Sequence, residues 1–343
     1  MINTILQYIL VILVISIIII AHELGHFFAA RRAGVKVEKF GVGMGPKILS
    51  FKRKETEYCL CAIPIGGFCQ LKGEEEASND PDSFDSKSPF KKFLIAFSGP
   101  FANILLSILI LILTFNLFGN PFIWQIKTIQ PDSPAAKAGF MIGDEFIGIN
   151  GNITNNWGLI REEISKSPNK EIIVNVRRGD KELSIPVVPK QSSDGTGLIG
   201  VEVRPSDKRE SFINSIKLSL EMNYSFFKDF ITFLGMLFTG KVTSVAVAGP
   251  VGIVTTAAST VAVGWSYFFF FMALLSVNLG LINLFPFPPL DGGRIIFSLI
   301  EGIFKKKVNK NVEATINTIG FMLLMALIVF VTWNDIARLI SPH

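Results

Sequence analysis

Histidine is nearly absent from this chain: His22, His26 and His343 are the three in 343 residues. A carrier that passes metal through a membrane needs further His, Asp or Glu along its apolar segments, so this scarcity disfavours a zinc transporter. Charge is sparse too. Asp, Glu, Lys and Arg make up 18% of the sequence against 49% hydrophobic residues, and mean hydropathy is +0.46. This is not a typical soluble composition. Cys59, Cys61 and Cys69 form no CxxC pair, which disfavours a zinc ribbon or redox motif. They read as apolar strand residues in a reducing compartment. The net charge of +5 is accounted for by basic clusters beside apolar segments, where they meet anionic lipid headgroups. No binding to nucleic acid is expected.

What is present is a set of long apolar runs. A spanning helix needs about 20 mostly apolar residues. Four segments meet that need: 5–21 with its flanking turns, 93–118, 268–300 broken by prolines and glycines, and 316–333 with no charge inside it. The first lacks a basic leader and an A-x-A-like cleavage site and runs straight into His22, so it reads as a retained span, not a cleaved signal. Arg31, Arg32, Lys36, Lys39 and Lys47 follow span one, and Lys305, Lys306, Lys307 and Lys310 lie between spans three and four. Positive-inside bias puts both loops in the cytoplasm. Both termini and the region between spans two and three then fall outside.

The fold class expected is a polytopic α-helical membrane protein of about four transmembrane helices, with a β-hairpin element and one small extracytoplasmic domain. Residues 1–34 hold the first transmembrane helix. Residues 35–91 alternate β-branched and aromatic residues with glycines and read as cytoplasmic-side hairpins followed by a polar loop. The second transmembrane helix takes 92–119, and a small soluble domain of strand-like runs takes 124–205. In 206–262, apolar residues at helical spacing over 211–238 are interrupted by Lys217, Glu221, Lys228 and Asp229. That pattern reads as an amphipathic helix on the membrane surface, with a fifth span as the alternative. Residues 263–302 form the third transmembrane segment, and 303–343 the fourth helix and the C-terminus.

The strongest chemical signal is His22-Glu23-Leu24-Gly25-His26 at the end of the first span. Residues four apart share a helix face, so His22 and His26 can ligate one zinc ion while Glu23 serves as general base toward water. Ionisable residues at membrane depth are expensive and normally serve a function. A catalytic zinc usually takes three protein ligands and leaves one position open. His343 ends the chain on the opposite side, so the third ligand is expected to be a carboxylate. Asp291 stands apart because its setting is apolar, within Asn-Leu-Phe-Pro-Phe-Pro-Pro-Leu-Asp-Gly-Gly over 283–293. The prolines and glycines break the helix, and irregular backbone at that depth must be buried in protein or line a cavity. Asp291 also suits an N-cap of the helix that follows, and the two roles are compatible. Asn283 is either a donor to substrate or a partner of nearby backbone.

HELGH in the first span with LDGG after a proline-broken segment resembles the site-2 protease family of intramembrane zinc metalloproteases, in particular its bacterial sigma-factor-pathway branch. Further matches are Gly-Val-Gly-Met-Gly at 41–45, Ile-Pro-Ile-Gly-Gly-Phe at 63–68, Ser-Gly-Pro-Phe-Ala-Asn at 98–103 and Gly-Pro-Val-Gly-Ile at 249–253. The resemblance implies Zn2+ as cofactor, His22, His26 and Asp291 as its ligands, and Glu23 as the catalytic glutamate. It implies that glycine-rich strands carrying Gly41 and Gly43 dip into the membrane and hold unwound substrate by strand addition, and that Asn283, Pro286 and Pro288 belong to a substrate-clamping segment. Single-pass membrane proteins, of the anti-sigma-factor or remnant-signal-peptide type, would be substrates in a bacterial inner membrane. The run at 131–151 resembles a PDZ domain, which implies contact with a peptide or a substrate ectodomain. A membrane scaffold with purely structural zinc is the competing reading. Glu23 argues against it, because a structural site needs ligands but no base.

Overall fold

Apolar runs fold here as helices and glycine-punctuated stretches as strands. The computed structural model describes residues 2–74, 78, 80–154, 156–206, 208–240 and 249–340. In chain order these form α1 (Ile2–Ala33), β1 (Val37–Arg53), β2 (Thr56–Leu71), α2 (Pro89–Leu117), β3 (Trp124–Ile129), α3 (Pro134–Ala138), β4 (Glu145–Ile149), β5 (Asn152–Ile153) and α4 (Trp157–Ser165). There follow β6 (Ile172–Arg178), β7 (Lys181–Val187), β8 (Lys190–Gln191), β9 (Gly197–Leu198), β10 (Val201–Pro205), α5 (Phe212–Phe238), α6 (Pro250–Val263), α7 (Trp265–Asn283), α8 (Asp291–Phe304) and α9 (Lys310–Ile340). His343 lies outside the described residues. The chain divides into two units, one of Met1–Ile112, Ile216–Ala262 and Phe271–His343, the other of Leu113–Ser215 and Val263–Phe270.

Among the described residues, four helices are long and apolar enough to cross a membrane: Ile5–Ala33, Pro89–Leu117, Trp265–Asn283 and Lys310–Ala337. They fall on the four apolar runs of the sequence. The third run is divided in the structure: α7 stops at Asn283, a proline-rich turn follows, and α8 starts at Asp291. α5 is one continuous helix whose Ser219 and Asn223 are buried while Ile213, Tyr224 and Ile231 are exposed. Phe226 is buried on the same side, and Lys217, Glu221, Lys228 and Asp229 are exposed together with the apolar residues.

In the first unit, α1 ends where Gly34 takes a left-handed conformation (φ 78°) and the Val35 amide donates to the Ala30 carbonyl at 2.8 Å, a glycine C-terminal cap. α1 and α2 cross closely. A side chain at Gly25 would overlap the Ser98 carbonyl, and one at Gly99 would overlap the His26 ring, so small residues set the approach of the two backbones. α7 meets α2 in the same way: a Cβ at Gly280 would lie 2.8 Å from the Pro100 carbonyl oxygen, and the Ser276 hydroxyl donates to the Asn103 carbonyl at 2.8 Å.

β1 and β2 double back on one another. Residues 37–42 pair with 67–71 on one side and, from Lys39 on, with 57–60 on the other, while 47–53 pair with 56–61. The spatial order is therefore 47–53, 56–61, 37–42, 67–71. Residues 67–71 form an outer edge, with no strand on their far side among the described residues. At Gly43 (φ 84°) a Cβ would lie 2.5 Å from the Ile63 carbonyl, so glycine is required where β1 bends.

The second unit is built on a sheet of order β10-β3-β4-β6-β7, with β5 added to β4. α3 is capped by Ser133, and α4 by Asn156. Ile126, Phe146, Ile160, Val174 and Val176 pack as its core. Asp144, fully buried, accepts two hydrogen bonds from Arg178 at 2.7 and 2.8 Å.

Candidate active site

His22 and His26 lie one turn apart on α1, so both rings emerge on one face. Asp291 arrives from α8. Leu290 occupies the N-cap position and makes no side-chain cap bond, while Asp291 is the first helical residue. Its carboxylate turns toward the histidines instead of its own backbone. Asp291 Oδ2 lies 3.0 Å from His22 Nε2 and 3.3 Å from His26 Nε2, and the two Nε2 atoms are 3.2 Å apart. All three residues are buried, and no other cluster of three such metal-binding groups occurs among the described residues.

Three ligand atoms held about 2.0–2.1 Å from one zinc ion at tetrahedral angles would be separated by about 3.3 Å. The observed triangle has that size. Its chemistry fits as well. His26 Nδ1 is 2.8 Å from the Ile95 carbonyl oxygen, which can only accept, so Nδ1 carries a proton and Nε2 is the atom that a neutral ring would offer to a metal. Two imidazole nitrogens and a carboxylate oxygen converging in a buried site make a donor set that fits a zinc ion.

The triangle opens on a cavity of about 670 Å³. Glu23 lines it, and a Cβ at Gly67 would lie 3.3 Å from Glu23 Cγ. The absence of a side chain at Gly67 thus lets the glutamate lie against the sheet edge. Asn283, the last residue of α7, also lines the cavity. Pro286 and Pro288 do not. Pro286 is exposed, and Pro288 turns its backbone to Gly293 and Gly320, where a side chain would crowd it. These prolines shape the turn that delivers Asp291; the wall itself includes Pro289 and Leu290. Gly41 and Gly43 are not among the lining residues, although Met44, the next residue along β1, is. Gly41 is paired on both sides, with Phe68 and with Cys59, so its backbone has no free edge, and the edge facing the cavity is 66–71. The sequence assigns no role to Glu74 and Arg294, which also line it, to Ile95, or to Gly99 and Asn103 on α2, although the run 98–103 stands among the matches that carry the resemblance. One signal was available: Gly99 and Asn103 repeat the four-residue spacing of His26 and His22 on a helix running the other way.

A model of peptidase family M50 matches residues 10–327. The chain belongs to peptidase family M50. A Clostridium perfringens relative is 35% identical over 329 residues, covering 95% of this chain and 97% of its own. Zinc metalloprotease RasP of Geobacillus kaustophilus is 31% identical over 421 aligned positions, covering 98% of this chain and 99% of its own. A PDZ domain of an SdrC-like protein from Listeria monocytogenes aligns with 23% of this chain and 85% of its own length, at 22% identity and a TM-score of 0.22. This M50 peptidase is a zinc metallopeptidase of the site-2 protease type, acting on membrane proteins.

Proposed function

We propose that this M50 peptidase hydrolyses peptide bonds inside the membrane-spanning segments of single-pass proteins, such as anti-sigma factors or remnant signal peptides. His22, His26 and Asp291 hold the zinc ion and Glu23 is the general base. The observation that carries this reading is the buried triangle of Nε2, Nε2 and Oδ2 beside Glu23, in the C-terminal half of a helix apolar enough to span a bilayer. A bound zinc ion supplies Lewis-acid activation of water and of the scissile carbonyl. Glu23 accepts the proton from water and hands it to the leaving amine.

A helical substrate hides its scissile backbone and must first unwind. Residues 67–71 offer an unpaired strand edge to hold it extended, and Gly67 sets that edge against Glu23. Met44, Ile48, Leu49 and Phe51 on the same hairpin are exposed, which supports a sheet dipping into lipid. Asn283, at the cavity wall, is placed to hydrogen-bond substrate. The basic clusters after α1 and before α9 support a cytoplasmic zinc face in a bacterial inner membrane, with the termini and the second, PDZ-like unit outside. There the unit would meet a substrate ectodomain or peptide.

The test is cleavage of a tagged single-span substrate in cells by the native chain and by Glu23→Gln at matched expression. The native chain should cut and the variant, which keeps all three ligands, should not. Equal cleavage by both would remove Glu23 from its assigned role. A photo-crosslinker at Gln70 should capture substrate, whereas one at Ser50, on the opposite edge of the sheet, should not.

A further inference from the structure

The two histidines of the triangle are held from behind in different ways. His26 Nδ1 faces the Ile95 carbonyl oxygen. His22 Nδ1 faces the side-chain amide of Asn103, 3.5 Å from the atom assigned as Nδ2. If Nε2 of His22 is a ligand, Nδ1 of the neutral ring carries a proton, and the assigned orientation sets one donor against another. The amide oxygen meanwhile is buried and has no hydrogen-bond partner among the described residues, in a residue that is itself fully buried. The oxygen and nitrogen of an Asn amide have nearly the same shape, and their assignment follows from the hydrogen bonds available. A half-turn about the last side-chain bond puts the oxygen where the histidine proton needs it. The nitrogen then takes the oxygen's place, a buried position with no hydrogen-bond partner among the described residues.

We propose that Asn103 is the positioning residue for His22, its side-chain oxygen accepting the Nδ1 proton and so holding Nε2 toward His26 and Asp291. Asn103 is itself fixed, because the Ser276 hydroxyl of α7 donates to its backbone carbonyl and Gly280 lets α7 close over that turn of α2. The order of support runs from α7 through Asn103 to His22. This rests on His22, His26 and Asp291 being the ligand set.

The experiment measures zinc affinity of the purified full chain in detergent by chelator competition, together with the visible spectrum of the cobalt(II) form. The variants are Asn103→Leu, Asn103→Asp and Asp291→Ala. Loss of a group that orients a metal-binding histidine lowers affinity by about 10–100-fold, the fall expected for Asn103→Leu. Asn103→Asp keeps the acceptor and loses the donor, so it should bind zinc at least as tightly as the native chain, with the native cobalt spectrum. Native affinity in Asn103→Leu would overturn the proposal, as would weakened binding in Asn103→Asp. Should Asn103→Leu fail to fold, the near-isosteric Asn103→Asp decides alone. Undiminished binding in Asp291→Ala would instead overturn the ligand set itself, so the two failures are separable.

Discussion

Gly99 on α2 packs directly against the Nε2 side of the His26 ring, so closely that a methyl group there would overlap it. That atom also faces Asp291 at 3.3 Å. Gly99 therefore supplies room for a histidine and its metal as much as room for a helix crossing. Overpacking of this kind costs about 1–3 kcal/mol, and here it falls on a ligand. Gly99→Ala should leave the chain folded in detergent but reduce zinc content and proteolysis by at least about tenfold. Metal analysis of the purified variant beside native protein checks this. Full zinc occupancy would show that the ring can move aside.

The sequence alone made HELGH and Asp291 readable, for a local reason. Two histidines at i and i+4 next to a glutamate specify a face and a chemistry by themselves. A lone carboxylate among prolines in an apolar run is costly unless a cation or a helix end receives it. Gly99 and Asn103 carry no such mark. A glycine within a helix does not say what crosses it, and which face of α2 meets α1 is a long-range fact. The position of Gly41 within the sheet is a long-range fact of the same kind. Glycine punctuation reveals that strands exist, but only the doubled pairing of 39–42 shows that these residues are interior and that 67–71 is the edge.

Asp335 near the end of α9 caps a different helix. Its two carboxylate oxygens accept from the Gly249 amide at 3.1 Å and the Gly252 amide at 2.8 Å, at the start of α6. The carboxylate is buried, and a Cβ at Gly249 would lie 2.6 Å from it. An anion at a helix N-terminus satisfies free amides and meets the positive end of the helix dipole. Asp335→Ala should lower stability by about 1–3 kcal/mol by leaving those amides unpaired, and Asp335→Asn by less. Thermal unfolding in detergent measures both. Cleavage by protein that remains folded should be near native, since Asp335 is not among the residues lining the cavity.

A buried charge cluster ties the loop before α2 to the α8–α9 connection. Lys92 lies 2.7 Å from Glu301 and 3.5 Å from Asp85, and Lys307 and Lys310 lie 3.2 and 3.7 Å from Asp85. Burial alone would raise the Asp85 carboxyl, but Lys310, Lys307 and Lys92 outweigh it and hold the group below its ordinary value of 3.8. The folded state therefore binds this proton less readily than the unfolded chain. The resulting stabilisation is present above the ordinary value and is lost as pH falls through the lower, folded one. Asp85→Asn should be less stable at neutral pH, and its gap to the native chain should narrow as pH falls below about 4. Unfolding midpoints of both proteins across that range provide the comparison, and a constant gap would assign the cluster no part in acid sensitivity.

Arg294 and Glu74 join the sheet edge to the helix that carries Asp291. Arg294 follows Asp291 by three residues on α8 and pairs with the Glu74 carboxylate, whose other oxygen accepts from the Leu71 amide at 3.2 Å. Both side chains line the cavity. The pair thus fixes the far end of residues 67–71 relative to the metal triangle without belonging to it. Arg294→Met or Glu74→Gln should raise KM for a membrane substrate more than it lowers kcat, with zinc content unchanged. The charge-exchanged double variant, Glu74→Arg with Arg294→Glu, should recover part of the loss, because contacting pairs couple by about 0.5–3 kcal/mol. A double-mutant cycle on kcat/KM measures that coupling. Strictly additive losses would mean that the two residues act on the cavity separately and that the edge is held by its sheet pairing alone.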